Sequence, residues 1–126
     1  MLTVRNGARA VDFYKAAFAA TELFRFDDES GAVIAQLAVG GADLWLADEP
    51  SANAQTSEEN FNFSPESLGG SSARMILVVD NPDAVFDRAL AAGAKVVWPV
   101  DDKSYHWRLG RLVDPFGHHW EIGKPI

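Results

Sequence analysis

Gly41-Ala42-Asp43-Leu44-Trp45 and Gly117-His118-His119-Trp120-Glu121 are the two stretches on which the reading of this chain turns. Each opens with a glycine turn and runs into a short strand whose residues alternate between two faces. The correspondence extends outward: Leu2-Thr3-Val4 matches Leu77-Val78-Val79, and Lys15-Ala16 matches Arg88-Ala89. One structural unit is therefore used twice.

Within the first copy, Leu2-Thr3-Val4 ends a short strand and Asn6 stands where a helix N-cap belongs. Ala10, Phe13, Tyr14, Ala17 and Phe18 follow at helical spacing, leaving Arg9, Asp12 and Lys15 for water. Three β-like runs come next, Glu22 to Phe26, Ala32 to Val39 and Asp43 to Ala47, separated by Asp27-Asp28, Ser30-Gly31 and Gly40-Gly41. The second copy starts at Met75 to Val79. Asn81-Pro82-Asp83 then gives a capped helix start with proline in the first turn, Val85, Phe86, Ala89 and Leu90 form the apolar face, and Gly93 ends the helix. Lys95 to Val97, Tyr105 to Val113 and His119 to Ile122 supply the closing strands.

Pro50 to Ala73 is rich in Ser, Asn, Glu and Gly, with Phe61, Phe63 and Leu68 as its apolar anchors. It reads as a linker, and a loop of that length also serves in other domains as a lid. The expectation is an α+β fold of one domain, residues 1–126. Module one is residues 1–49, the linker 50–73 and module two 74–126. A helix on one face of each module leaves the other face of a curved mixed sheet to enclose a cavity.

The chain has 126 residues, 48% of them apolar and 23% charged, the balance of a folded globular domain. Eleven basic against 18 acidic side chains give a net charge of -7, the wrong sign for following a phosphate backbone, so nucleic acid is not an expected partner. The acidity keeps the protein soluble or favours a cationic ligand. Cysteine is absent, which removes disulfides, thiolate metal ligands and a cysteine nucleophile. With neither a secretory signal pattern nor a membrane-length apolar run, a cytoplasmic location without membrane association is expected.

Val11-Asp12-Phe13-Tyr14, Ser64-Pro65-Glu66-Ser67 and Asp114-Pro115-Phe116-Gly117-His118-His119-Trp120-Glu121 together resemble the vicinal oxygen chelate superfamily. That superfamily contains glyoxalase I, extradiol dioxygenases, fosfomycin resistance enzymes and bleomycin resistance proteins. The resemblance covers essentially the whole chain and is nearest to the PhnB-like branch. Metal-using relatives hold one divalent ion with a His from the first strand and a Glu from the last strand of each module. Here the first His position falls ahead of Met1, the second falls on Arg74, the first Glu position falls on Trp45, and Glu121 alone remains. One carboxylate beside a fixed guanidinium does not make a metal site, so neither a metal nor another cofactor is expected. A rearranged site would have to start from His119 and Glu121, which share a strand face; His118 and His106 read as turn or packing residues.

Strand alternation turns Trp45, Arg74, Ile76, His119 and Glu121 toward the cavity, and Leu44, Leu46, Met75, Leu77, Trp120 and Ile122 toward the helices. Arg74 and Glu121 are expected to pair with each other or to recognise a ligand carboxylate or amine. Tyr105 and Trp107 would share one face of the strand Tyr105-His106-Trp107-Arg108, packing in the core or a dimer contact, or stacking on a planar or cationic ligand, with His106 and Arg108 on the other. The first functional expectation is a metal-free, small-molecule-binding homodimer, its ligand cationic or aromatic. Related folds pair or exchange modules between chains, so a second protomer would complete each pocket. The alternatives are a lyase or dioxygenase with Glu121 as ligand or general base, and a non-catalytic dimerisation module.

Overall fold

The structure, a computed structural model, describes residues 1–50 and 62–126. In the first module, strand β1 (Leu2–Val4) leads into helix α1 (Gly7–Phe18), followed by β2 (Thr21–Asp27), β3 (Val33–Val39) and β4 (Ala42–Asp48). A single helical turn, α2 (Pro65–Leu68), precedes the second module: β5 (Arg74–Val78), α3 (Pro82–Ala92), β6 (Lys95–Asp102), β7 (Trp107–Val113) and β8 (His119–Pro125). The repeated βαβββ order read from the sequence is present.

Capping sets where the helices begin and end. The Asn6 side chain accepts from the Arg9 N–H at 3.1 Å, and Asn81 does the same for Ala84 at 3.2 Å ahead of Pro82. Gly93 stops α3 at φ 124°, whereas α1 stops at Ala19, a non-glycine held left-handed at φ 55°.

The two modules build two separate four-stranded sheets, in the orders β1-β4-β3-β2 and β5-β8-β7-β6, and not one continuous sheet. In each, the outer parallel pair (β1 with β4, β5 with β8) sits beside antiparallel hairpins. The registers correspond: Leu2 lies opposite Leu46 and Leu77 opposite Ile122. This places Trp45 and Glu121 at equivalent points, as the sequence alignment of the two halves requires.

The modules meet on the helix side of both sheets. Phe13, Tyr14 and Phe18 of α1 pack against Phe116 and Trp120 of the second module, with Phe18 and Trp120 ring centroids 4.7 Å apart. Val4, Val11, Leu37, Leu46, Leu112 and Ile122 are fully buried in the same core. Arg88 of α3 donates to the Ala16 carbonyl of α1 at 2.6 Å, closing the last turn of one helix with a side chain of the other.

Several expectations need correction. The sheets do not close: their faces away from the helices are open, so the cavity expected inside a single chain is not formed by the described residues. Tyr105 and His106 are not in a strand. They form the turn between β6 and β7, where His106 takes φ 64° and its N–H donates to the Lys103 carbonyl at 3.1 Å. Arg108 is held on the helix side by Asp83 and Asp102 at 2.8 and 2.9 Å. Within the described part of the linker α2 forms at Pro65–Leu68, Phe63 and Leu68 are exposed rather than anchoring it, and Ser64 and Pro65 are buried. Phe61 and the rest of the stretch 51–61 lie outside the described residues.

Candidate functional site

The Asp114-Pro115-Phe116-Gly117 turn is built around a buried carboxylate. Asp114 Oδ1 accepts from the N–H groups of Phe116 and His118, and Oδ2 accepts from the Tyr14 hydroxyl at 2.5 Å and the Trp120 indole at 3.0 Å. All four donors are supplied by the fold itself, so the motif ties β7 and β8 to α1 instead of presenting a reactive acid. Burial first, then the Asp114 charge, push the Tyr14 phenol well above its ordinary pKa, and it stays a neutral donor. His118, which reads from sequence as a surface turn residue, is buried and its ring Nε2 lies 2.9 Å from the Thr3 carbonyl of β1.

A second cluster fixes α2. Ser64 caps it, Glu49 accepts from the Ser64 N–H at 2.9 Å and from the Ser67 hydroxyl at 2.7 Å, and Arg5 donates to that hydroxyl at 3.2 Å. Burial raises the Glu49 pKa, but the hydrogen bonds from Ser64 and Ser67 outweigh it and hold the carboxyl below its ordinary value. An open cleft beside this cluster is lined by Thr3, Arg5, Phe26, Ile34, Asp48 and Glu49, and none of the residues singled out from sequence lines it.

Those residues lie on the uncovered sheet faces. Arg74 and Glu121 form an ion pair with Nε and Oε2 3.2 Å apart; the Glu121 side chain is only 8% exposed while that of Arg74 is 53% exposed. His119, two residues back on the same face, accepts at Nδ1 from Arg111 Nε at 3.1 Å. Burial and then the Arg111 charge lower the His119 pKa, and in its neutral form the remaining ring proton is carried on Nε2. Arg111 also stands over the Trp98 indole at 5.3 Å, with Lys103 5.5 Å from the same ring and paired to Asp101. By the same alternation Trp107 lies on the Arg111 side of β7, while Tyr105 belongs to the turn beyond it.

On the first sheet the uncovered face carries Phe24, Phe26, Ile34 and Trp45, all exposed, with Phe24 and Trp45 rings 6.0 Å apart. Ile76 and Val78 continue the apolar surface on the second sheet and are likewise exposed. Leu44, Leu46, Met75, Leu77, Trp120 and Ile122 lie on the helix side, so the expected alternation is present in both modules.

Arg111 and Trp98 went unrecognised in the sequence. The signal was available for Arg111, which shares the parity of Trp107 once β7 is started at residue 107. Starting the strand at Tyr105 draws attention to Arg108 in its place. Trp98 carried no such signal, because its strand is irregular on both sides of it.

The family's divalent metal does not fit this face. Its one remaining carboxylate position is paired to a guanidinium, and the Nδ1 lone pair of the adjacent imidazole is taken by a second guanidinium. A cation placed there would meet two fixed positive charges. Among the described residues no three His, Asp or Glu side chains are gathered to hold a metal ion.

The arrangement of two βαβββ modules around a common helical layer is shared with known proteins. The family model for the Glyoxalase/Bleomycin resistance protein/Dioxygenase superfamily matches residues 1–122, and the chain belongs to that superfamily. An uncharacterised protein of Mycobacterium bovis is 41% identical over 127 aligned positions, spanning 99% of this chain and 80% of its own length. The crystal structure of TioX from Micromonospora sp. ML1 is similar with a TM-score of 0.70 at 25% identity, covering 99% of this chain and 94% of that one. The fold is also that of the fosfomycin resistance protein FosX from Listeria monocytogenes, crystallised with Mn(II) and sulfate, at TM-score 0.65 and 15% identity over 99% and 87% of the two chains.

Proposed function

We propose that this chain is a metal-free, small-molecule-binding protein of the superfamily, of its PhnB-like branch, working as a cytoplasmic homodimer in which the open sheet faces of two protomers together form the ligand site. The observation that carries the metal-free reading is the Arg74–Glu121 ion pair at 3.2 Å, which occupies two of the superfamily's ligand positions with a salt bridge. Support for a shared site comes from the exposure of Phe24, Trp45, Ile76 and Trp98 on faces that no helix or strand among the described residues covers. Calorimetric titration of chelator-treated protein with nickel, zinc, manganese and ferrous iron tests the first point. No binding is expected; micromolar or tighter uptake of one ion per chain would overturn it.

An enzymatic reading is favoured by one feature, the burial of the Glu121 carboxylate within a face otherwise open to solvent. There Glu121 would act as a general base toward a ligand seated on Ile76 and Trp98. Replacing Glu121 by Gln should then abolish turnover of a substrate found by screening, and full activity in that variant would remove the role.

A further inference from the structure

The acidity of the chain suggests a cationic ligand, but the open face of the second sheet has the opposite character. Its charged side chains include the Arg74–Glu121 and Lys103–Asp101 ion pairs, Lys95 opposite Val113, and Arg111. The accessible group of the Arg74–Glu121 pair is the guanidinium, because the carboxylate is buried beneath it. The described contacts of Arg111 are to His119 and to the Trp98 ring, neither of which neutralises its charge. Lys103 is compensated by Asp101 at 2.6 Å and adds no net charge. A ligand approaching this face therefore meets guanidinium groups first, set beside the partly exposed Trp98 indole.

We propose that the site takes an organic anion with a planar apolar body, its oxyanion group received by Arg74 and Arg111 and its ring lying beside Trp98. Guanidinium is suited to this, since its planar donors match the oxygens of a carboxylate, phosphonate or sulfonate, and each charge-assisted hydrogen bond is strengthened where water is partly excluded. Arg111 keeps its terminal nitrogens for the ligand while Nε is spent on His119, which fixes the direction of the fork. The Phe24–Trp45 pair of the other sheet face supplies the apolar wall for the rest of the molecule when a partner closes the site.

This inference rests on the reading of the open face as a ligand site, and a matched pair of probes separates the two. Full-length protein is titrated by calorimetry with 1-naphthoate and with 1-naphthylmethylammonium, which carry the same ring and opposite charge. The naphthoate should bind about tenfold more tightly or better, as one or two charge-assisted bonds require. Its affinity should fall with added salt while that of the amine does not. In Arg111→Gln, which leaves the Arg74–Glu121 pair in place, the preference should drop to a few-fold at most. The salt series needs no variant and decides the matter if Arg111→Gln does not fold. Equal or tighter binding of the amine would sink the anion proposal and leave the ligand-binding function standing. Binding of neither probe would overturn both, and a preference unchanged in Arg111→Gln would move the anion site away from this face.

Discussion

Asp114 shows how one buried carboxylate can hold two modules together. With all four of its hydrogen bonds made inside the protein, an amide in its place would lose charge and turn an N–H₂ toward at least one donor. Asp114→Asn is expected to lose about 3 kcal/mol of stability in urea unfolding. Tyr14→Phe, which removes one donor to the charge, should lose about 2 kcal/mol at neutral pH. The pH dependence of that second loss has a definite sign. The folded phenol keeps its proton above the ordinary value of 10.0, so its stabilising contribution is complete below pH 10 and fades as the pH rises beyond it, where the unfolded chain ionises freely. The gap between the native protein and Tyr14→Phe should therefore narrow in melts taken above pH 10; a gap that stayed constant would place the Tyr14 interaction elsewhere. The turn itself was readable in the sequence as Asp-Pro-Phe-Gly, but its acceptor role was not, because the phenol that completes it comes from α1, far away along the chain.

Between elements, one contact sensitive to a single atom is that of α2 with the β7–β8 turn. Gly117 has φ +87°, and a Cβ added there would stand 2.7 Å from the Pro65 Cβ. Gly117→Ala thus combines a left-handed backbone penalty with a clash against a rigid ring, and about 2–3 kcal/mol of destabilisation is expected in thermal or denaturant melts. The other side of α2 is held by Glu49. Its carboxyl lies below the ordinary 4.5 in the folded chain, so its contribution is present above that pH and is lost as the pH falls through the folded value. Glu49→Gln should cost about 1 kcal/mol at neutral pH, and that deficit should shrink as the pH falls through the folded value, read from urea midpoints across that range. A helix of one turn has no periodicity to find, and so Pro50 to Ala73 read as linker throughout. The Ser64-Pro65-Glu66 signature was nonetheless a helix start in plain form, a capping hydroxyl followed by proline and an acid. For longer elements the pattern sufficed: α1 and α3 begin at the caps foreseen for them, whereas the strand at Tyr105 was extended through a turn because aromatic residues look β-like whether or not the backbone continues.

Across the whole molecule, alternation in β4, β5 and β8 told which side chains leave the core, but pattern alone could not say what faces them. A strand residue turned away from a helix is equally compatible with a cavity inside one chain and with a face awaiting another chain. Here Phe24 and Trp45 of the first module and Ile76 of the second are exposed on faces that the other module of the same chain does not cover. Apolar side chains in such numbers on open sheets are costly in water, and in the proposed homodimer two protomers related by a twofold axis would remove the cost by placing the first sheet of each on the second sheet of the other. Static light scattering coupled to gel filtration should accordingly give twice the 13.7 kDa chain mass. Phe24→Asp should weaken the dimer by about thirtyfold or more, as the loss of a central aromatic anchor does, and drive it toward monomer at micromolar concentration. Because Phe24 is already exposed in the single chain, the same variant should keep its far-ultraviolet circular dichroism and its melting cooperativity. A native protein that runs as a monomer, or a Phe24→Asp protein that remains a dimer, would mean that these faces serve the ligand alone and that each chain binds it unaided.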